Sequence, residues 1–180
     1  MNIVHPLKDK NDIERIKSAL SNNPRNLLLF IIGINTALRI SDILELRYED
    51  ITDTHIDIVE RKTGKRKRIK INASIREAVR NLSPVNPLPG DYLFPSRKGD
   101  RPIGRVQAWR ILNEASRDAG VSFAFGTHSL RKTFAYHAYR SGVELPLLMR
   151  VLNHASQRET LRYIGIESEQ IDEIYIDVCL

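Results

Sequence analysis

Apolar residues recur in this chain at two different periods. In "NDIERIKSAL", Ile13, Ile16 and Leu20 stand at helical spacing and predict an amphipathic helix over 11–20. "PRNLLLFIIGINTAL" predicts a helix over 24–38. Pro24 suits its first turn, and its nearly all-round apolarity marks it as the central buried helix. "SDILELRYEDI" predicts a third over 41–51, with Ser41 as cap and Ile43, Leu44 and Leu46 turned inward. The period then changes to two. "HIDIVER" (55–61) and "KRIKI" (67–71) read as strands, the second with Ile69 and Ile71 on one side and Lys or Arg on the other. Gly64 supplies the turn between them, so the pair forms a β-hairpin with a basic tip.

Helical spacing returns over 72–82, capped by Asn72. Residues 83–102 hold five prolines and read as a loop with a short extended piece at 92–94. Further helices are expected at about 104–118, 128–141, 144–152, 156–164 and 168–177. The fold class is therefore mainly α with one small antiparallel sheet. The chain reads as a single domain over 1–180, because apolar helices flank the proline-rich loop on both sides.

Composition refines this outline. The 180 residues are 42% hydrophobic, enough for a real core, and carry a formal charge of +6. Where the charge lies matters more. Seven of the ten residues in 61–70 are Lys or Arg, whereas 165–180 holds five acids and no Lys or Arg. A basic hairpin favours a polyanion such as DNA. The single cysteine, Cys179, allows no disulfide within one chain and no cysteine cage for a metal. A reducing cytoplasm is the expected compartment, no membrane association is expected, and no secretory pattern opens the chain.

Several residues could carry chemistry. In "THSLRKTFAYHAYRSG" (127–142), Thr127 reads as an N-cap and Gly142 as a stop. Yet His128, Arg131 and Lys132 crowd the first turns, where the helix is already positive. An anion bound there would explain them. Leu130, Phe134, His137 and Ala138 share a face, and His128, Arg131 and Ala135 lie about 100–160° from it, which places His128 and Arg131 off the core. A solvated helix start fits the same letters. Arg39, three residues before Asp42, could be buried against that carboxylate while offering its fork outward, or be an ordinary surface arginine. Lys62 before the turn fits phosphate contact or simple solubility. His154 at a helix end and Tyr163 on a helix each have a packing explanation as well. No HExxH and no cysteine pair occur, so neither metal nor cofactor is expected.

Taken in order, these residues resemble the catalytic domain of the tyrosine recombinases, the phage-integrase family. "TALRISDIL" is similar to that family's first arginine stretch, and "KTGK" at 62–65 to its hairpin lysine. His128 and Arg131 match the "H-x-L-R" box, Leu152–His154 match "L-G-H", and Tyr163 follows nine residues later. Ala37 and Asn153 depart from the family by replacing glycines, though asparagine tolerates a left-handed backbone better than other residues with a side chain. Family members usually carry an N-terminal core-binding domain. Here the first helix begins near residue 11, so that domain is expected to be absent, leaving an isolated catalytic domain or a single-domain relative.

The resemblance implies strand cleavage and rejoining in double-stranded DNA through a covalent 3′-phosphotyrosine, without metal or ATP. Arg39 and Arg131 would grip the phosphate, with His128 and His154 adding donors and Asp42 in support. Tyr163 would be the nucleophile, ionised by its cationic surroundings, and Lys62 the general acid. Lys65, Arg66, Lys67, Arg68 and Lys132 are expected to meet DNA. A homo-tetramer on DNA is expected, with the protein on the nucleoid when bound; the acidic tail at about 166–180 fits either docking on a neighbouring protomer or a last helix packed on its own core. A DNA-binding regulator without catalysis and a type IB topoisomerase remain the alternatives.

Overall fold

A computed structural model describes residues 4–82, 88, 90–97 and 99–166. The helices are α1 (Lys10–Leu20), α2 (Pro24–Thr36), α3 (Ile40–Leu44), α4 (Ala73–Leu82), α5 (Arg105–Asp118), α6 (Thr127–Arg140), α7 (Leu145–Leu152) and α8 (Gln157–Ile164). Strands β1 (His55–Val59) and β2 (Arg66–Lys70) form an antiparallel hairpin with Ile56 opposite Ile69 and Ile58 opposite Lys67. Mainly α with one two-stranded sheet is thus the observed class. The expected helix over 168–177 lies outside the described residues. None of the described helices is long and apolar enough to cross a membrane.

Local chemistry sets the element ends. Asp9 accepts from the Asn11 amide at the start of α1, and Asn72 accepts from the Ile75 amide at the start of α4. Asn23 caps α2 with Pro24 in the first turn, and α2 ends where Ala37 turns left-handed at φ 55°. Two expectations need correction. The helix expected over 41–51 stops at Leu44, because the next segment spends its backbone on another partner. The Leu93 amide donates to Leu46 O at 2.9 Å, and the Tyr48 amide to Asp91 O at 3.1 Å. Only a short 3-10 turn, Tyr48–Asp50, follows. Thr127 is not a cap either: Gly126 holds that position, and its own amide donates to Ser129 Oγ at 3.1 Å.

Two apolar clusters build the core. The larger gathers α1–α5 and the hairpin around Phe30, Leu29, Ile32, Phe94 and Leu112, with Leu130 of α6. The smaller joins Ala37 to Ala135, Leu148, Leu152, Ile164 and Ile166, and so mounts α7 and α8 on the second half of α6. Helix α6 therefore belongs to both. Its partner α2 approaches through Gly33, where an added Cβ would lie 2.5 Å from Leu130 Cδ1 and 2.9 Å from Leu130 Cβ. An N-terminal strap closes the other side of α6. The Leu7 amide donates to Thr133 Oγ1 at 2.9 Å, and Leu7 O lies 2.8 Å from His137 Nε2.

Gly33→Ala is expected to destabilise the protein by about 1–3 kcal/mol, since Leu130 has no space to retreat in a packed core. Urea denaturation reads this as a lower midpoint. An unchanged midpoint would mean that α2 and α6 do not meet as closely as described.

Candidate active site

Five chain segments meet at one cleft of about 230 Å³. The turn before α3 brings Arg39, the hairpin tip Lys62, the start of α6 His128 and Arg131, the end of α7 His154, and α8 Tyr163. All six residues singled out for chemistry line it. A larger hollow of about 650 Å³, around Arg47, Tyr92 and Arg101, holds none of them.

Arg131 does not sit off the core as the helical wheel implied; it is 5% exposed. Its Nη1 donates to Ala37 O and its Nη2 to Leu152 O at 2.6 Å. Those carbonyls belong to the C-terminal ends of α2 and α7, the negative poles of both helices. Arginine here closes two helices and stands between the two clusters, which satisfies a buried cation that would otherwise be costly. Burial lowers its pKa, as does Arg39, while Tyr163, Glu60 and Asp42 oppose the shift. The same guanidinium lies in hydrogen-bonding reach of Tyr163 and lines the cleft.

Arg39 does not pair with Asp42. Its Nη1 lies 3.2 Å from Glu60 Oε1 yet makes no hydrogen bond. Asp42 is buried and accepts from the Arg61 amide at 3.1 Å, so it anchors the chain entering the hairpin turn. Glu60 is the residue that the sequence reading missed. It is 5% exposed, and Thr63 Oγ1 donates to its Oε2 at 2.8 Å. Burial pushes its carboxyl up, but Thr63, Lys67 and Arg39 together hold it below the usual value. Alternation could have found it: Ile56, Ile58 and Glu60 share one parity of the strand, the core-facing one.

The same parity argument corrects Lys67. It shares a side with Ile69 and Ile71, and its ammonium turns inward to Glu60 Oε1 at 3.4 Å and Val151 O at 3.1 Å. Lys65, Arg66 and Arg68 are exposed on or beside the hairpin, with Arg68 Nε 3.6 Å from Asp57. Lys62 is exposed at the tip. Lys132 is drawn in as well. Its Nζ donates to Val4 O at 2.9 Å and lies 5.3 Å from the centre of the Tyr163 ring.

His154 is presented by a left-handed turn. Asn153 sits at φ 54°, and the His154 amide closes back to Met149 O at 3.0 Å. Asparagine thus fills the glycine position of the family motif, as expected. His154 Nδ1 lies 3.1 Å from Thr160 Oγ1, and the ring meets Tyr163 edge-on with centroids 5.0 Å apart. Burial lowers its pKa from 6.5, helped by Arg131 and Arg39 against Glu159. His128 stays solvent-accessible, but the part of its ring against the protein, with Arg131, Lys132 and Arg105, lowers its pKa too. For Tyr163 burial outweighs the two arginines and raises the phenol above its usual 10.0. The phenol is therefore neutral at rest, contrary to the ionisation expected from charge alone.

A sequence model described as "phage integrase family" matches residues 8–170. The chain belongs to that family. It is 41% identical over 177 residues to the probable integrase/recombinase YoeC of Bacillus subtilis, covering 97% of both chains. It is 29% identical over 153 residues to tyrosine recombinase XerA of Pyrococcus furiosus, covering 83% of this chain and 53% of that one. The phage-integrase chain thus spans nearly all of the first protein and about half the length of the XerA, XerC and XerD relatives. Among solved structures, XerA recombinase matches with a TM-score of 0.78 at 21% identity, over 98% of this chain and 65% of that one. XerH bound to palindromic difH substrate after cleavage matches at 0.73 and 23%, over 95% and 52%. At these identities the structural likeness establishes the tyrosine recombinase catalytic-domain fold.

Lowered imidazole pKa values have a consequence for stability. Unfolded histidines bind protons near pH 6.5, while the folded His128 and His154 resist them. Their contribution is present above pH 6.5 and is lost as the pH falls through the folded values. Urea denaturation between pH 7 and 5 should therefore show falling stability, with a flatter profile in the His128→Gln/His154→Gln double variant. Parallel profiles would contradict this assignment.

Proposed function

We propose that this chain catalyses site-specific DNA recombination by cleaving and rejoining strands through Tyr163, with Arg39, Lys62, His128, Arg131 and His154 as the remaining machinery. One observation carries the reading: these six residues come from five separated segments and line one cleft. A regulator needs basic surface for DNA, but not a tyrosine held beside two guanidiniums.

The chemistry follows from the geometry. A phosphodiester entering the cleft meets the cleft-lining guanidiniums of Arg39 and Arg131, the latter through N–H groups that do not close helices. Charge that builds on the non-bridging oxygens during attack is stabilised by these fixed donors, each worth about 10²–10³ in rate. The Tyr163 oxygen bonds to phosphorus, and the bond to the 5′-oxygen breaks. Lys62 supplies the proton that the leaving oxygen takes up. His128, whose lowered pKa keeps it neutral at physiological pH, receives the phenolic proton. The 3′-phosphotyrosine conserves the energy of the broken bond, so a free 5′-hydroxyl can reverse the step without ATP. Exposed Lys65, Arg66 and Arg68 contact backbone phosphates and position the duplex rather than read it.

Lambda integrase has been solved as a dimer on a core site and as a tetramer on a Holliday junction. A homo-oligomer on DNA is proposed here on that likeness. The acidic tail, for which docking is one of the two expectations, lies beyond the described residues, apart from Ile166.

A nicked suicide substrate tests the reading. The wild-type chain is expected to form a covalent adduct that survives denaturation. Tyr163→Phe is expected to lose it by at least about 10³-fold while binding DNA as before. An adduct of undiminished yield in the phenylalanine variant would rule out Tyr163 as nucleophile. No adduct from the wild type on cognate DNA would leave the regulator.

A further inference from the structure

Glu60 has no place in the chemistry described so far, yet it joins most of the cations that surround it. Its Oε1 lies 3.2 Å from Arg39 Nη1 and 3.4 Å from Lys67 Nζ, and its Oε2 accepts from Thr63 at the hairpin tip. Lys67 in turn donates to Val151 O, next to the Leu152 carbonyl that accepts from Arg131. The backbone of Glu60 shapes the same turn: its amide donates to Lys65 O at 2.9 Å, and its carbonyl accepts from the Gly64 amide at 2.8 Å. One buried carboxylate thus connects the turn before α3, the hairpin tip and, through Lys67, the end of α7.

The contact with Arg39 has a particular character. At 3.2 Å it is an ion pair, but Nη1 makes no hydrogen bond. A partner that accepted the arginine's hydrogens would compete with a phosphate for them. Charge at the buried Nη1 fixes one corner of the guanidinium, while Arg39 still lines the cleft. The carboxylate also offsets the mutual repulsion of Arg39, Lys67 and Arg131, which would otherwise push the hairpin away from the arginines.

We propose that Glu60 is a positioning residue: its buried carboxylate, by ion-pairing the buried Nη1 of Arg39, holds the rest of the guanidinium aimed into the cleft. This rests on the recombinase reading for its kinetic consequence but not for the orientation itself.

The test has two arms. In the first, Glu60→Gln is assayed on the suicide substrate alone and combined with Arg39→Ala. Glutamine is expected to slow adduct formation about 10–100-fold without weakening DNA binding, and to cost almost nothing further once Arg39 is gone. The full loss persisting in the Arg39→Ala background would overturn the proposal, because a general structural defect adds whereas a positioning defect does not. Glu60→Asp, which keeps the charge, is expected to recover part of the rate; an aspartate variant as slow as glutamine would also count against it. In the second arm, the Nε–Hε resonance of Arg39, assigned by its loss in Arg39→Lys, is followed by ¹⁵N NMR without DNA. A shift or broadening in Glu60→Gln is expected, and an unchanged resonance refutes the orienting role. Should the glutamine chain not fold, Glu60→Asp serves in both arms with the same direction of effect. If the wild type forms no adduct, the recombinase reading fails while the NMR arm still decides the role of Glu60.

Discussion

Arg131 closes two helices with one guanidinium, and the site depends on that closure. Helices α2 and α7 both end at the smaller apolar cluster, through Ala37 and Leu152, each with carbonyls that no helical amide satisfies. Arg131 reaches Ala37 O with one nitrogen and Leu152 O with another. The residues that follow those ends are Arg39 and His154, so the clamp fixes where both enter the cleft. It also answers why a cation stands near the positive end of α6. The N-terminus of its own helix opposes Arg131, but the negative ends of two other helices favour it. An anion is not needed to hold it in place, although one would add to the same balance.

Both closures use residues with side chains in a backbone region that favours glycine. Ala37 and Asn153 stand at φ 55° and φ 54°. For alanine this costs on the order of 1 kcal/mol, and Ala37 recovers part of it by burying its methyl group among Ala135, Leu148 and Leu152. Asparagine is less penalised, and Asn153 is exposed, so no packing is required of it there. The two departures from the family motif are therefore compatible with the turns that the motif needs.

Much of the outline was legible because burial leaves a period in the letters. Leu28, Leu29 and Ile32 announced the central helix, and the alternation of 55–59 announced the hairpin. The failures were of one kind. Residues 46–48 were read as helix because periodicity does not register a backbone that pairs with Asp91 and Leu93, distant in the chain. Arg131 was read as exposed because a helical wheel assigns charge to solvent and cannot see carbonyls arriving from other helices. The sequence reading leaves Glu60 out and assigns Lys67 to DNA, although their parity with Ile58 and Ile69 points inward. There the rule that charges face water was allowed to override the period, and a buried ion pair breaks that rule. Convergence of the six site residues was legible only through the family resemblance, since no spacing along the chain encodes it.

At rest the site separates fixed charge from movable protons. Arg39 and Arg131 hold positive charge at any physiological pH, while His128, His154 and Tyr163 are all biased toward their neutral forms. Two causes produce that bias. Burial, the larger, disfavours charge on the imidazoles and on the phenol alike, and the nearby cations add to it on the imidazoles while opposing it on the phenol. An arriving phosphate would offset the cations and leave the burial as it is. In the proposed reaction its negative charge would raise the affinity of the imidazoles for protons and so make His128 a better acceptor as the phenol bonds. The phenolic proton then has a reason to leave only once the anion is in place. A tyrosine ionised beforehand would lie against Arg131 as a salt-bridge partner and occupy the donors that the phosphate requires. Keeping Tyr163 neutral by burial leaves its contact with Arg131 a hydrogen bond from a neutral phenol, weaker than a salt bridge and easier for a phosphate to displace.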